Sequence, residues 1–280
     1  MKRLILFLLM MTFIVMLTGC SNKYEYSQQL IKAIEEDNLE QFTYLLEKGG
    51  DLDSRPHFLG LDRVNMPPLH YACSNGKIKY VKALVEAGAD LNFIDNSVHQ
   101  TPLMASLDNY HYENRLEIVK YLVEAGANVN VEVNGHNALG YTIRWNTVSY
   151  SETMEYEDFE LVLYLIDKGA DINKARLGNL ILDAAQRNNL LIVKYMLTEQ
   201  NVEIDLVDEY YGNSAIMWAV IWNNYEIVKY LVEQGANLDV VNKDGKTVFD
   251  LAFEQENLEG NELANNLKIQ ELLNEKSNNN

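Results

Sequence analysis

One fourteen-residue segment occurs three times in this chain with few changes. It reads KYVKALVEAGADLN over residues 79–92, EIVKYLVEAGANVN over 117–130 and EIVKYLVEQGANLD over 226–239. Each copy has apolar residues at i, i+3 and i+4 spacing and then a glycine, which predicts an amphipathic helix that the glycine ends. One such helix cannot bury its apolar face alone, so the repetition predicts stacked copies with a shared core.

The residue that ends each helix recurs along the chain, and a second short motif precedes each copy. The helix-ending positions are Gly49, Gly88, Gly126, Gly169, Asn201 and Gly235. Asn201 fits this set because asparagine also adopts the left-handed conformation. The preceding motif is complete in PPLHYA (67–72) and TPLMAS (101–106), and its weaker copies are QQLIKA (28–33), NALGYT (137–142), NLILDA (179–184), SAIMWA (214–219) and TVFDLA (247–252).

The two motifs together resemble the ankyrin repeat, which opens on T-P-L-H-x-A and has a period near 33 residues. The resemblance implies an all-α fold, an ankyrin repeat solenoid of about seven helix-turn-helix units with hairpin-like connecting loops, over residues 26–274. A disordered tail is expected at 275–280, and the motif histidine, His70, is expected to hydrogen-bond within the turn region. The apolar residues expected to close the last repeat are Leu267, Ile269, Leu272 and Leu273.

Residues 1–19 are predicted to be a signal peptide rather than part of the fold. Two basic residues precede an apolar run over 4–16, which is short for a membrane-spanning helix of about 20 residues. The following LTGC (Leu17, Thr18, Gly19, Cys20) resembles the lipobox of bacterial lipoproteins. The resemblance implies cleavage before Cys20, diacylglycerol on its sulfur, an acyl chain such as palmitate on its amine, and a short tether over 20–25. We therefore expect a lipid anchor in the bacterial cell envelope, on the periplasmic or extracellular face; the alternatives are an uncleaved anchor and a plain secretory signal.

The chain is strongly acidic. It has 41 Asp and Glu against 23 Lys and Arg, a formal net charge of −18. Such a surface repels nucleic acid and anionic lipid head groups, so we expect no nucleic-acid partner. It suits a basic protein partner, although a solvated acidic surface that serves solubility is the simpler interpretation.

Three segments lengthen the repeat, at 54–62, 107–115 and 146–160. Insertions in repeat arrays map to loops on one face, which is often the binding face. Tyr110 and Tyr112 lie in the second insertion and Tyr150 and Tyr156 in the third, and tyrosine is a preferred contact residue. These four are candidate partner-binding residues; drift in tolerated loops is the alternative.

The resemblance also assigns binding positions, because ankyrin repeats bind through their hairpin tips and the end of the first helix of each pair. Trp218 fills a core position of the motif and is expected to be packed rather than to bind. For the aromatic members of the set, buried packing is the alternative to binding. The residues at these positions are Arg63, Val64, Met66, Ser74, Asn75, Trp145, Tyr210, Tyr211 and Trp222.

The sequence gives little sign of chemistry. The five histidines show no H-x-x-x-H spacing, and neither a phosphate-binding loop nor a nucleophile elbow is present. Cys73 lies on an apolar helix face, where a buried thiol is expected. We therefore expect a protein that is not an enzyme and that has no catalytic residue, metal or cofactor.

Three functions remain open at this point. The first is a membrane-tethered, monomeric interaction scaffold that binds a protein partner. The second is an immunity protein or inhibitor that neutralises a toxin or lipase directed at the envelope. The third is an enzyme whose site lies unrecognised in the inserted loops.

Overall fold

The computed structural model describes residues 25–55, 66–95, 99–108, 114–142, 152–174 and 179–278, with the side chains of 152–158 outside that description. These residues form seven successive helix pairs, which we number as repeats one to seven. The pairs are α1 (25–35) with α2 (Leu39–Lys48), α3 (Pro68–Ser74) with α4 (Ile78–Glu86), α5 (Pro102–Leu107) with α6 (Arg115–Glu124), α7 (Ala138–Thr142) with α8 (Glu152–Asp167), α9 (Leu180–Gln186) with α10 (Leu190–Thr198), α11 (Ala215–Ile221) with α12 (Tyr225–Glu233), and α13 (Val248–Phe253) with α14 (Gly260–Asn278). The described part of the chain has no β-strand, only isolated bridges such as Asp95 with Gln100 and Val207 with Ser214. The prediction of an all-α ankyrin repeat solenoid is confirmed.

Contacts divide the chain into two compact units, and the first extends to Val133. Within it the first helices α3 and α5 lie side by side, and so do the second helices α4 and α6. The rings of Phe42 and Tyr80 meet edge to face between repeats one and two, with centroids 4.8 Å apart. Leu84 and Leu122 are fully buried in successive second helices. Each repeat therefore completes the core of its neighbour.

The second unit begins at Asn134. Its first helices α7, α9, α11 and α13 contact one another in order, and its second helices α8, α10, α12 and α14 do the same. The apolar residues of this second row, Leu165, Met196, Leu231 and Ile269, are fully buried. The last helix therefore closes the core as the earlier ones do.

The helix ends follow the chemistry that the sequence predicts. The Thr101 hydroxyl caps α5 by accepting from the backbone N–H of Met104 at 3.2 Å, and Pro102 follows at the first helical position. Thr247 and Asp250 form a reciprocal capping box at α13. Asn201 has a φ of 50°, so asparagine does take the left-handed position that glycine holds elsewhere.

The motif histidine is a structural residue. His70 is buried, and its Nε2 lies 3.0 Å from the carbonyl oxygen of Gln100, directly before the opening Thr101 of the next repeat. The expected hydrogen bond therefore exists and links repeats two and three. Burial lowers the pKa of His70 below its ordinary value of 6.5, because the imidazolium form would lose its hydration.

Two expectations about the chain differ from the structure. Residues 146–160 were expected to form an inserted loop, but α8 already begins at Glu152, and glutamates in the first turns of a helix are favoured by its dipole. A disordered tail was expected from residue 275, but α14 continues to Asn278.

The closure of the last repeat also differs in part. Ile269 and Leu273 are fully buried as expected, whereas Leu267 is 55% exposed and contributes little to the core. Residues 267, 269 and 273 cannot all face inward, because successive helix positions are 100° apart and 267 falls on the opposite face.

The described residues include no helix that combines the length and the apolar character needed to cross a bilayer. The predicted signal peptide, the lipobox and Cys20 lie outside the described residues. Of the predicted tether over 20–25, only residue 25 is described, and it is already helical.

Replacing Leu122 by alanine tests whether neighbouring repeats share one core. Leu122→Ala should lower the free energy of unfolding by about 2–5 kcal/mol, because it leaves a cavity at a fully buried position. Leu267→Ala, at an exposed position, should change it by less than about 0.5 kcal/mol. Urea titration followed by circular dichroism measures both variants, and equal losses would contradict the shared core.

The fold should lose stability as the pH falls below about 6.5. The unfolded chain then binds a proton that buried His70 does not, so each step down in pH favours the unfolded state. The melting temperature of the wild type should therefore fall more between pH 7.5 and pH 5.5 than that of His70→Gln. An equal fall in melting temperature in both proteins would show that groups other than His70 cause the acid sensitivity.

Candidate partner-binding surface

Repeat six exposes three of the aromatic residues that the sequence singled out. Tyr210 and Tyr211 lie on the hairpin tip that precedes α11, next to the bridge between Val207 and Ser214. Trp222 is the residue that ends α11. Tyr210 is 78% exposed, Tyr211 45% and Trp222 55%. Exposed aromatic side chains that lie close together are candidates for an interaction site, since tyrosine and tryptophan are enriched among the residues that dominate interfaces.

The tip is built around a buried carboxylate. Oδ1 of Asp208 accepts from the backbone N–H groups of Tyr210 at 2.9 Å and Tyr211 at 2.6 Å. Oδ2 accepts from the backbone N–H of Asn213 at 2.9 Å and from the indole N–H of Trp218 at 3.1 Å. Four donors around one carboxylate fix the backbone that carries the two tyrosines.

The tip of repeat seven holds the tip of repeat six in place. The backbone N–H of Lys243 donates to the carbonyl of Tyr211 at 2.9 Å, and the amide of Asn242 donates to Oδ1 of Asn213 at 2.8 Å. Gly212, with a φ of 72°, allows this approach: a β-carbon there would lie 3.1 Å from the Lys243 backbone nitrogen. The tyrosines are therefore presented by a rigid loop.

The tip of repeat six is one residue longer than that of repeat seven. In repeat seven, NKDGK (242–246) precedes the opening Thr247, whereas DEYYGN (208–213) precedes Ser214. In both, the first residue pairs its backbone N–H with the carbonyl of the last. The added residue makes room for a second adjacent tyrosine. The tip of repeat three, at 95–100, has the same length, and its Asp95 is also buried.

Four aromatic rings, which we call the aromatic row, run from the tip to the end of α11: Tyr210, Tyr211, Trp218 and Trp222. The first two rings meet edge to face at 4.6 Å between centroids, and Tyr211 meets Trp218 in the same way at 5.4 Å. Trp222 follows Trp218 by one helical turn. Trp218 itself is only 7% exposed, which confirms that it is packed.

A network of side-chain amides fixes the backbone beside Trp222. Asn223 takes a φ of 55°, donates to Oε1 of Gln255 at 2.8 Å and accepts from Nδ2 of Asn266 at 3.1 Å. Gln255 in turn donates to the carbonyl of Val220 near the end of α11 at 2.9 Å. A contact residue on such an ordered backbone loses little conformational freedom on binding.

The three described residues that the sequence predicted to bind in repeat two contact other residues of that repeat. Met66, Ser74 and Asn75 lie together and are half-buried. The Ser74 hydroxyl is 3.8 Å from the sulfur of Met66, and the Asn75 amide donates to the carbonyl of Tyr71 at 2.8 Å. These three residues offer a partner less accessible surface than the aromatic row does, and their role in binding stays a prediction.

The other predicted residues cannot be compared with the structure. Tyr156 lies in α8 rather than in a loop, and its side chain is outside the described residues. The remaining positions lie wholly outside the described residues: Arg63, Val64, Tyr110, Tyr112, Trp145 and Tyr150.

The sequence did not indicate the part that Asp208 plays. Its carboxylate contacts Trp218, ten residues further along the chain, and such a contact becomes visible only once the hairpin is folded. The sequence offered one signal: the tip of repeat six opens on aspartate, Asp208, where the tip of repeat seven opens on asparagine, Asn242.

The described residues offer little for catalysis. They contain no group of three or more His, Cys, Asp or Glu side chains placed to hold a metal ion. Cys73 is buried, as expected, and burial raises the pKa of its thiol far above the ordinary value. A thiol in that state is a poor nucleophile.

Comparison with known proteins identifies the repeats. The family described as Ankyrin repeats (3 copies) matches residues 30–133 and 180–275. The crystal structure of the human ASB11 ankyrin repeat domain superposes with a TM-score of 0.60 at 24% identity, over 84% of this chain and 96% of that chain. A chain in the complex of the Bdellovibrio bacteriovorus predatory endopeptidase Bd0816 with the immunity protein Bd3460 superposes with a TM-score of 0.56 at 24% identity, over 74% of this chain and 97% of that one. Both likenesses show the fold alone.

Among curated proteins, palmitoyltransferase ZDHHC17 of Homo sapiens is 27% identical over 229 residues, 82% of this chain and 33% of that protein. The chain thus spans about a third of the length of the palmitoyltransferases that it matches. The prediction that this protein is not an enzyme is contradicted by these relatives, which are named as palmitoyltransferases. The similarity runs through their ankyrin region, and the ankyrin fold itself is non-enzymatic, so it assigns no catalytic residue here.

The family match covers more than half of the chain and coincides with the observed helix pairs on both sides of repeat four. The solved ankyrin domain has the same fold over 84% of this chain. The chain belongs to the ankyrin repeat family, and its repeats form a protein–protein interaction scaffold.

Proposed function

We propose that this protein is a membrane-tethered scaffold that captures one protein partner through the aromatic row of repeat six. The observation that carries the proposal is the exposure of Tyr210, Tyr211 and Trp222 on a backbone that buried hydrogen bonds hold in place. Tyrosine and tryptophan dominate the binding energy of protein interfaces, and a preformed site avoids the entropy cost of ordering.

The proposed tether is a lipid on Cys20. The basic residues, the apolar run and the lipobox at 17–20 support it, because together they match the signal of bacterial lipoproteins. With dual acylation the protein would stay on the membrane stably. The repeats would then lie in the bacterial cell envelope close to the bilayer, because the first described helix already includes residue 25.

A second candidate function is the neutralisation of an enzyme or toxin directed at the envelope. The ankyrin fold recurs in the endopeptidase–immunity protein complex noted above, which supports the compatibility of this fold with such complexes. The acidic surface and the proposed envelope location favour the same function. This candidate predicts that cells lacking the gene are more sensitive than wild-type cells to toxins from sibling competitors. Equal sensitivity of the two strains would rule it out.

Truncating the exposed rings should weaken capture strongly without unfolding the protein. We expect the double variant Tyr210→Ala and Trp222→Ala to weaken partner binding at least about 30-fold, the effect of one interface hot spot. Tyr211 is left intact because its ring packs on Trp218. Crosslinking in native membranes, followed by quantitative pull-down, measures the loss.

The matched control is Tyr44→Ala, which removes an exposed tyrosine from α2 of repeat one. It should leave capture unchanged, and all the variants should melt at the wild-type temperature. Undiminished capture by the double variant would show that the aromatic row is not the binding surface.

Replacing Cys20 tests the tether separately. Cys20→Ser should prevent lipid attachment, so the protein should move from the membrane fraction to the soluble fraction and lose labelling by a radiolabelled fatty acid. Cys73→Ser is the control, because Cys73 is buried in α3 and should not accept lipid. Fatty-acid labelling that survives Cys20→Ser would contradict the lipid anchor, and a wild type without such labelling would favour the uncleaved segment.

A further inference from the structure

The exposed rings of repeat six lie among acidic residues. Residues 199–262 contain fourteen Asp and Glu and three Lys. Glu209 and Asp244 are exposed on the two adjoining tips, and Glu256 is exposed next to the Gln255 amide that holds the end of α11. The aromatic row therefore lies in a region of negative potential, which attracts cations and repels anions.

The lysines of this segment offset only part of this charge, because three lysines face fourteen carboxylates. The ammonium group of Lys243 donates to the carbonyl of Glu209, and Lys246 forms an ion pair with Glu254. The third, Lys229, lies on the second helix, α12, rather than on the tip or α11. Lys243 keeps its positive charge at the tip, since a carbonyl is neutral, but the segment as a whole remains net negative.

Elsewhere in the second unit, lysine side chains of the protein itself lie over tyrosine rings. The ammonium nitrogen of Lys194 lies 5.3 Å from the ring centroid of Tyr230, and that of Lys268 lies 5.4 Å from the ring of Tyr225. Both distances are within the range of about 6 Å in which cation–π attraction acts. Among the described residues, no Lys or Arg lies over a ring of the aromatic row.

The exposed rings lie at two places along one face of repeat six. Tyr210 and Tyr211 stand on the tip with centroids 4.6 Å apart, and Trp222 stands at the end of α11, with the packed Trp218 between them. A segment that contacts both places has to run along the repeat, which an extended peptide does with side chains about 6.6 Å apart on one side.

We infer that the aromatic row binds an extended, arginine-rich segment of a partner protein. Guanidinium groups stack on the exposed rings of Tyr210, Tyr211 and Trp222, and the surrounding carboxylates supply the complementary charge. Arginine fits better than lysine because its planar group stacks on aromatic faces and is less strongly hydrated. This inference rests on the proposed function, since it names the class of partner that the same surface takes.

The test uses a defined probe in place of the unknown partner. A fluorescein-labelled decapeptide that alternates arginine and serine is titrated with the purified full chain in detergent micelles, and fluorescence anisotropy gives its affinity. The matched peptide carries citrulline at each arginine position, which keeps the shape and removes the charge. We expect the arginine peptide to bind at least about tenfold more tightly, with a difference that shrinks as salt is added.

Leucine substitutions separate stacking from general attraction to an acidic protein. Tyr210→Leu with Trp222→Leu keeps apolar bulk at the surface but removes two ring faces, and should weaken the arginine peptide about tenfold. Tyr44→Leu, which changes an exposed ring in the first unit, should leave the affinity unchanged. Equal binding by the wild type and the double variant would overturn the inference, and so would equal binding of the citrulline peptide.

Other occupants of the surface are outcomes of the same experiment. A proline-rich decapeptide that binds through these rings more tightly than the arginine peptide would overturn the inference in favour of a proline-rich segment. Self-association that disappears in the double variant would overturn it in favour of a second copy of this chain.

The proposed function and this inference can fail separately. If the double alanine variant loses its partner while the arginine peptide never binds, the scaffold function stands and the inference is wrong. If substitutions in the aromatic row change neither partner capture nor peptide binding, the proposed function and this inference are both wrong.

Discussion

Burial between neighbouring repeats is the interaction on which the rest of this protein depends. No described helix pair is large enough to bury its own apolar face, so residues such as Leu84 and Leu231 are covered only because a neighbouring pair of the same unit lies against them. Polar groups reinforce the same junctions. His70 reaches the opening of the following repeat, and the Asn224 amide reaches back to the carbonyl of Ala185 at 2.8 Å. Stability is therefore a property of junctions more than of single repeats.

This constraint decides where variation can occur. A residue on the shared face must fit two repeats at once, whereas a hairpin tip or the end of a first helix has open space beside it. Repeat six uses both positions, with two tyrosines on a lengthened tip and a tryptophan at the end of α11. The buried Asp208 makes the longer tip rigid by supplying acceptors for backbone donors that a looser loop would leave to water.

The sequence predicts the fold well because its signals are local and repeated. The same motif positions recur in each repeat. They predict the helix-ending residues, including Asn201, and they predict that Trp218 is packed. The start of α8 was missed because its first residues are acidic and show no clear apolar stripe. The anchoring of Tyr211 through Asp208 and Lys243 was missed because both contacts join residues that only the folded tips bring together.

The amide network beside Trp222 links the proposed binding surface to the final repeat. Asn266 lies on the final helix, and its amide holds Asn223 next to that tryptophan, while Lys243 of repeat seven holds the tip that carries Tyr211. The surface of repeat six is thus a product of two repeats and not of one. An engineer who grafts this tip and α11 onto another ankyrin array must transfer repeat seven with them. Without repeat seven, the backbone that positions the aromatic side chains would lose its hydrogen bonds.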